Sequence, residues 1–259
     1  MPAYEPIELM ICAAARLLED GSTVTVGTGA PCAAAMLAQR TCSPNLAIFF
    51  EAGGAMPILP TMPVSVGDSR TFHRAIMATS MCEIMAACQR GMMDYTVLGG
   101  AQIDPYGNLN STHIGADHGK PKVRFPGSGG ANDLGALCWR TLIMMVQDPR
   151  RFVEKIDFLT TPGYLNGPGA REAAGLPAGT GPYKVITNLA VLGFDEKSKR
   201  MKVESLHPEI APAKIGESTG FELPVPLDVH RTDPPTGSEL RILRDEVDPY
   251  GYIIGRKRS

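Results

Sequence analysis

Aromatic side chains are scarce in this chain: Phe, Tyr and Trp make up 6% of its 259 residues, with a single Trp. Binders of single-stranded nucleic acid stack bases on such rings, so that class is disfavoured. A basic excess is missing too, because 25 Lys and Arg stand against 27 Asp and Glu. A protein that tracks a phosphate backbone carries a basic stripe. The only basic run here is Arg256-Lys257-Arg258, read as a solvated tail. No apolar run reaches the about 18 residues of a membrane span. The start, MPAYEPIELMICAAARLLEDG, has acids where a secretory signal has basic residues. The six cysteines (12, 32, 42, 82, 88 and 138) form no C-x-x-C pair, and Cys12, Cys32 and Cys138 lie in apolar helical patterns. Such thiols act as small hydrophobes, which predicts a soluble cytoplasmic protein with reduced cysteines.

What is abundant is turn material, 28 glycines and 22 prolines, in a chain that is 44% hydrophobic. Apolar residues at helical spacing predict a helix from about Glu5 to Asp20. A short strand over Ser22–Val26 then runs into Gly27-Thr-Gly-Ala-Pro31 and a small-residue helix over Ala33–Gln39. Leu46–Phe50 is a continuous apolar run, as expected of a strand buried on both faces. A long helix is predicted over Phe72–Arg90, with Met77, Met81 and Met85 in the core, then a strand over Tyr95–Leu98. Lys122–Phe125, Leu142–Val146 and Ile156–Thr160 are further strand candidates, and Asp133–Cys138 a short helix. A late β-hairpin is expected over Tyr183–Leu206, turning at Asp195–Arg200. Thr236-Gly-Ser-Glu239 has capping-box spacing and opens a short C-terminal helix through about Glu246. Alternation of strand and helix predicts an α/β fold, a mostly parallel open sheet with helices on both faces. The predicted division is one domain over residues 1–224 and a Pro-rich tail over 225–259.

Open parallel sheets bind ligands at the carboxyl ends of their strands. Three segments fall there. Gly27 and Gly29 form a turn into a helix N-terminus, suited to an anion or to plain turning. Glu51 follows five apolar residues and precedes Ala52-Gly53-Gly54, so a carboxylate meets flexible backbone at a strand end. Gly127-Ser128-Gly129-Gly130 can direct several N–H groups at one point, as a developing oxyanion requires. Asp104 and Asn108, just after a strand, fit turn hydrogen bonds better than catalysis. Gly27-x-Gly29 with an acid at position 51 also mimics a dinucleotide fold, in which Glu51 would bind a ribose hydroxyl. Cys32, however, stands where the third glycine belongs. His113, Asp117 and His118 lack a third well-spaced ligand, so no metal site is expected. Ser128 has no evident His–Asp partnership.

Together these segments resemble the β subunits of class I coenzyme A transferases, in the glutaconate CoA-transferase branch with its steroid-ring-degrading relatives. The matching motifs are Gly27–Pro31, Glu51-Ala52-Gly53 in place of an E-x-G motif, Ser65–Asp68, Gly99–Asp104 with Gly107-Asn108, Gly127–Gly130, and Thr219–Glu222. They run in order through about residues 5–224.

The resemblance implies a CoA-transferase fold and a catalytic glutamate, Glu51. It implies N–H donors for the oxyanion at Gly129 and Gly130. CoA and substrate contacts would lie among Gly27, Gly29, Gly53, Gly54, Asp104, Asn108, Gly127 and Ser128. It further implies an α-type partner in an α2β2 heterotetramer, coenzyme A as a cosubstrate with no resident cofactor, and ping-pong transfer between an acyl-CoA and a carboxylic acid, dicarboxylic acids included. Ala52 departs from the Ser or Asn that relatives often carry. Some members of the steroid branch lack the glutamate and hydrolyse CoA thioesters. An acyl-CoA or ring-opening hydrolase therefore stands as one alternative, and a non-catalytic CoA- or nucleotide-binding protein as another.

Overall fold

The structure, a computed structural model, describes residues 4–255; the basic run at 256–258 lies outside them. By contacts the chain resolves into two units. One comprises the chain up to Val97 and from Asp233 onward, the other Leu98–Thr232. This division differs from the single boundary expected after residue 224: residues 225–232 belong to the second unit and the chain from Asp233 to the first.

The first unit opens with helix α1 (Pro6–Ala15), then strand β1 (Thr23–Val26), helix α2 (Ala30–Arg40) and strand β2 (Ala47–Phe49). Short strands β3 (Gly54–Ala55) and β4 (Met77–Ala78), helix α3 (Met81–Gln89) and strand β5 (Tyr95–Leu98) follow. β1 lies between β5 and β2 and is parallel to both, with Thr25 opposite Phe49 and Val26 opposite Val97. The expected parallel core is therefore present. Beyond β2, β3 and β4 add antiparallel edges. Every residue from Cys32 to Ala38 in α2 is buried, as befits a helix of small residues that is apolar on all sides.

Two expected helices are shorter in the structure. α1 ends at Ala15, because Leu17 and Leu18 donate to carbonyls three residues back and close a tight turn. The helix expected over Phe72–Arg90 is three elements: a 3-10 turn (Ser69–Phe72), the edge strand β4, and α3. Ser80 begins α3, its hydroxyl accepting from the Glu83 N–H at 3.3 Å. The spacing Ser80-x-x-Glu83 was the available signal. Met77 and Met81 are 51% and 54% exposed, so the methionine run does not pack in the core.

In the second unit, Leu98–Thr232, small ribbons pair β6 (Gln102–Ile103) with β7 (Leu109–Asn110) and β8 (His113–Ile114) with β9 (Val123–Arg124). Helix α4 (Ala131–Leu137) leads to β10 (Arg140–Met144), which after the short helix α5 (Ala170–Ala173) pairs in parallel with β11 (Gly181–Ile186). β12 (Ala190–Phe194) and β13 (Met201–Leu206) form the expected hairpin, turning through Asp195–Arg200. Helix α6 (Pro212–Glu217) and β14 (His230–Arg231), parallel to β13, complete the unit. Ile156–Thr160 is not a ladder strand: Asp157 N–H donates to the Gln102 side chain and Thr160 N–H to the Leu109 carbonyl.

From Asp233 the chain is again part of the first unit. Helix α7 (Gly237–Ile242) carries the predicted capping box and continues as a π-helical turn over Leu243–Val247.

Candidate active site

Because β1 and β2 are adjacent and parallel, the segments that leave them emerge at the same carboxyl end. Gly27–Gly29 leaves β1 and Glu51 follows β2 by two residues. The structure thus brings two of the three candidate segments to one edge of the first unit.

Glu51 sits in a β-turn. Gly53 N–H donates to the Phe50 carbonyl and Phe50 N–H to the Gly54 carbonyl, both at 2.9 Å. Glu51 is the first central residue of that turn and is half-buried. Gly53 and Gly54 have steric reasons to be glycine. A Cβ on Gly53, whose φ is +112°, would lie 2.0 Å from the Thr79 carbonyl oxygen. One on Gly54 would lie 2.0 Å from that of Thr71. Thr79 N–H also donates to the Gly53 carbonyl at 2.9 Å. The turn is therefore clamped between two backbone segments, a feature with no sequence signal of its own.

The segment bearing Thr71 is itself tied down. Asp68 accepts from Arg70 N–H at 2.9 Å and Val64 N–H at 3.1 Å, and its carboxylate is gripped by the Arg70 guanidinium. Arg70 also donates to the Met62 carbonyl at 2.7 Å. The Arg70 side chain, with these amides, holds the Asp68 carboxyl well below the usual carboxylate range. The Ser65–Asp68 motif thus organises the Pro-rich loop that backs the Glu51 turn.

On the neighbouring turn, Gly29 precedes α2 with φ +86°, and Pro31 lies in the first helical turn as expected. A Cβ on Gly27 would meet nothing within 4 Å, whereas one on Gly29 would touch Ile253 at 3.7 Å. The chain reaches that point because the buried Asp248 carboxylate accepts from the backbone N–H groups of Tyr252, Ile253 and Ile254. Cys32, at the start of α2, is no nucleophile: burial pushes its thiol up to about 12.

In the second unit, Asp104 and Asn108 are consumed by their own turn. Asp104 accepts from the N–H of Tyr106 and Asn108 and, at 2.7 Å, from Asn108 Nδ2. Asn108 in turn accepts from Gly163 and Leu165 N–H. Both residues are buried, and burial raises the Asp104 pKa. These internal bonds are those of a turn, as expected of the pair from its sequence.

Gly127 (φ +100°) and Gly129 (φ +51°) bend the remaining loop, and Gly130 caps α4. Gly127 is tied to Ser111 by N–H donation at 3.2 Å, Ser128 and Gly129 are exposed, and Gly130 is buried. Among the described residues no His or carboxylate hydrogen-bonds the Ser128 hydroxyl, so the loop is not built as a serine triad. His113 and His118 meet edge to face at 4.9 Å. Among the described residues no group of three or more His, Cys, Asp or Glu is arranged to hold a metal, and no helix is long and apolar enough to cross a membrane.

A family model described as coenzyme A transferase matches residues 7–218. The B subunit of glutaconate CoA-transferase from Acidaminococcus fermentans is 40% identical over 257 residues, covering 95% of this chain and 93% of that protein. The B subunit of 3-oxoadipate CoA-transferase from Pseudomonas knackmussii is 39% identical over 247 residues, 94% of each. The crystal structure of glutaconate coenzyme A-transferase from A. fermentans superposes with a TM-score of 0.92 at 37% identity, over 98% of both chains. By sequence, by extent and by fold, this chain belongs to the coenzyme A transferase family, as a β subunit of the class I enzymes.

Proposed function

We propose that this chain supplies the nucleophile of a CoA transferase, the carboxylate of Glu51, and moves CoA between an acyl-CoA and a carboxylic acid in a ping-pong reaction. The observation that carries this reading is a glutamate held at a clamped turn, at the carboxyl end of a parallel strand, beside a glycine turn. A carboxylate oxygen of Glu51 attacks the thioester carbonyl; the C–S bond breaks, giving a mixed anhydride and CoA thiolate. The thiolate then attacks the glutamyl carbonyl, forming an enzyme–CoA thioester and releasing the first acid as carboxylate. The acceptor acid reverses both steps. A carboxylate suits this task because its anhydride keeps the acyl group activated, which an ester of serine would not. Backbone N–H groups stabilise the tetrahedral oxyanion, and Gly129 and Gly130 are the candidates by resemblance. Gly27 and Gly29, with Gly127 and Ser128, are candidates for contacts to CoA or acid. Coenzyme A is a substrate, and the chemistry calls for no resident cofactor.

The partner in this reading is an α-type subunit, in an α2β2 assembly. Support comes from the apolar edge beyond the Glu51 turn, where Ile58, Ile76 and Met77 are exposed at a strand edge that no described strand covers. Such an edge is ordinarily covered. The reduced cysteines support a cytoplasmic setting.

The test uses the full chain assembled with its α-type partner. Incubation with acyl-CoA, borohydride reduction and peptide mass analysis should place the CoA-dependent modification on Glu51. Glu51→Ala should abolish transfer with the assembly intact by native mass spectrometry. Full activity in that variant, or product formed at the same rate without an acceptor acid, would overturn the assignment.

A further inference from the structure

Arg171 in the second unit is only 2% exposed, yet within the described residues no carboxylate is among its hydrogen-bond or ion-pair partners. Its Nη1 donates to the carbonyls of Pro162 and Gly163 at 3.0 and 2.8 Å. Its Nη2 donates to the Ala136 carbonyl at 3.0 Å and to Thr180 Oγ1 at 2.7 Å. Nε is buried and makes no hydrogen bond to any described residue. Neutral oxygens satisfy the Nη donors but do not cancel a charge that burial has stripped of water. Burial accordingly pushes the Arg171 pKa below its ordinary value.

A cavity of about 100 Å³ adjoins this side chain, lined by Tyr164, Arg171, Glu172, Thr180, Lys199 and three glycines. Lys199 is a second cation without a carboxylate partner among the described residues; its Nζ lies over the Tyr164 ring, 5.2 Å from the centroid. Tyr164 is oriented by donating its hydroxyl to the Pro182 carbonyl at 2.8 Å. Glu172, exposed, is the one acid on the lining. Two cations against one carboxylate leave a surplus of positive charge on the lining.

We propose that this cavity is a binding site for a small oxyanion, a phosphate group, held between Arg171 and Lys199. A phosphate brings about two negative charges and three acceptor oxygens. It would neutralise both cations. The phosphate is either the free anion or the terminal group of a larger ligand such as coenzyme A; the chemistry at the cavity is shared. The site does not depend on the role given to Glu51.

Calorimetric titration of the full-length chain with inorganic phosphate, at constant ionic strength, should show one saturable site. Lys199→Glu should weaken it roughly tenfold or more, Lys199→Arg should hold it within about threefold, and Glu172→Gln should tighten it. Lys199 lies on the hairpin turn and Glu172 at the surface, so these variants leave the buried Arg171 network in place. Displacement of phosphate by coenzyme A, but not by 3′-dephospho-coenzyme A, assigns the site to the coenzyme's phosphate. Phosphate binding unaffected by coenzyme A assigns it to the free anion. Absence of saturable binding, or equal affinity in Lys199→Glu, overturns the proposal.

Discussion

The Arg16 guanidinium at the end of the first helix holds both carboxylate oxygens of Glu239, Nε to Oε1 at 2.8 Å and Nη2 to Oε2 at 2.6 Å. Glu8 and Arg244 make the reciprocal grip, at 2.6 and 2.8 Å. Each glutamate also closes the first turn of its own helix, Glu8 accepting from Glu5 N–H and Glu239 from Thr236 N–H, at 2.8 and 2.7 Å. One carboxylate thus caps one helix and ties it to the other, joining the two ends of the chain within the first unit.

Glu239→Ala removes a cap and leaves a partly buried guanidinium unpaired, so it should cost about 2–4 kcal/mol. Urea unfolding of the single and double variants with Arg16→Ala would measure the coupling. A coupling within error of zero would mean the pair adds geometry without stability.

The same carboxylate sets an acid limb of stability. Burial opposes the charge on Glu239, but hydrogen bonds from Arg16 and Thr236 outweigh it and lower its pKa in the fold. Its contribution is therefore complete above the unfolded value of about 4.3 and is lost as pH falls through the folded value. Glu239→Gln should flatten that limb in a series of unfolding midpoints below neutrality.

His207 acts in a higher window. Its Nε2 lies 2.7 Å from the Thr187 carbonyl, so Nε2 carries the proton and Nδ1 accepts from the Thr232 hydroxyl at 3.0 Å. Burial lowers its pKa, with the Thr187 bond in partial opposition, and the fold prefers the neutral ring. Stability is retained above the unfolded value of about 6.5 and declines as pH falls from there toward the folded value. Thermal unfolding of His207→Gln across this range should lack that decline.

The two glycine turns should separate under alanine substitution. Gly54→Ala places a Cβ on the Thr71 carbonyl and should cost about 3 kcal/mol or more, with loss of transfer. Gly27→Ala meets nothing, so stability should hold within about 0.5 kcal/mol. A fall in transfer at unchanged stability would mark Gly27 as a ligand contact.

Thiol chemistry checks burial directly. Cys42 and Cys82 are exposed, while Cys12, Cys32, Cys88 and Cys138 are buried. Burial pushes Cys12 up to about 12, as it does Cys32. Maleimide labelling of the native full chain should therefore modify Cys42 and Cys82 quickly and the other four only in denaturant. Rapid labelling of Cys32 would contradict the burial of α2.

Much of this molecule was written locally. Parallel strands at β1, β2 and β5 follow from apolar runs separated by glycine turns, and the α7 cap from Thr236-x-x-Glu239, because periodicity and capping are properties of adjacent residues. Glu51 stood out for the same reason: an acid directly after a buried strand is a local anomaly. What distant segments do to one another was not legible. The apolar pattern over residues 72–90 fits a helix on paper, yet an edge strand takes Met77 and Ala78 because pairing with β3 outcompetes local propensity. The demand for glycine at 53 and 54 comes from carbonyls of Thr79 and Thr71, and the buried charge of Arg171 from loops that meet only when folded. Sequence thus determined most of the elements and singled out the proposed reacting group. Tertiary structure decided which backbone clamps that group and where a cation is left without its anion, since both depend on close contact between residues far apart in the chain.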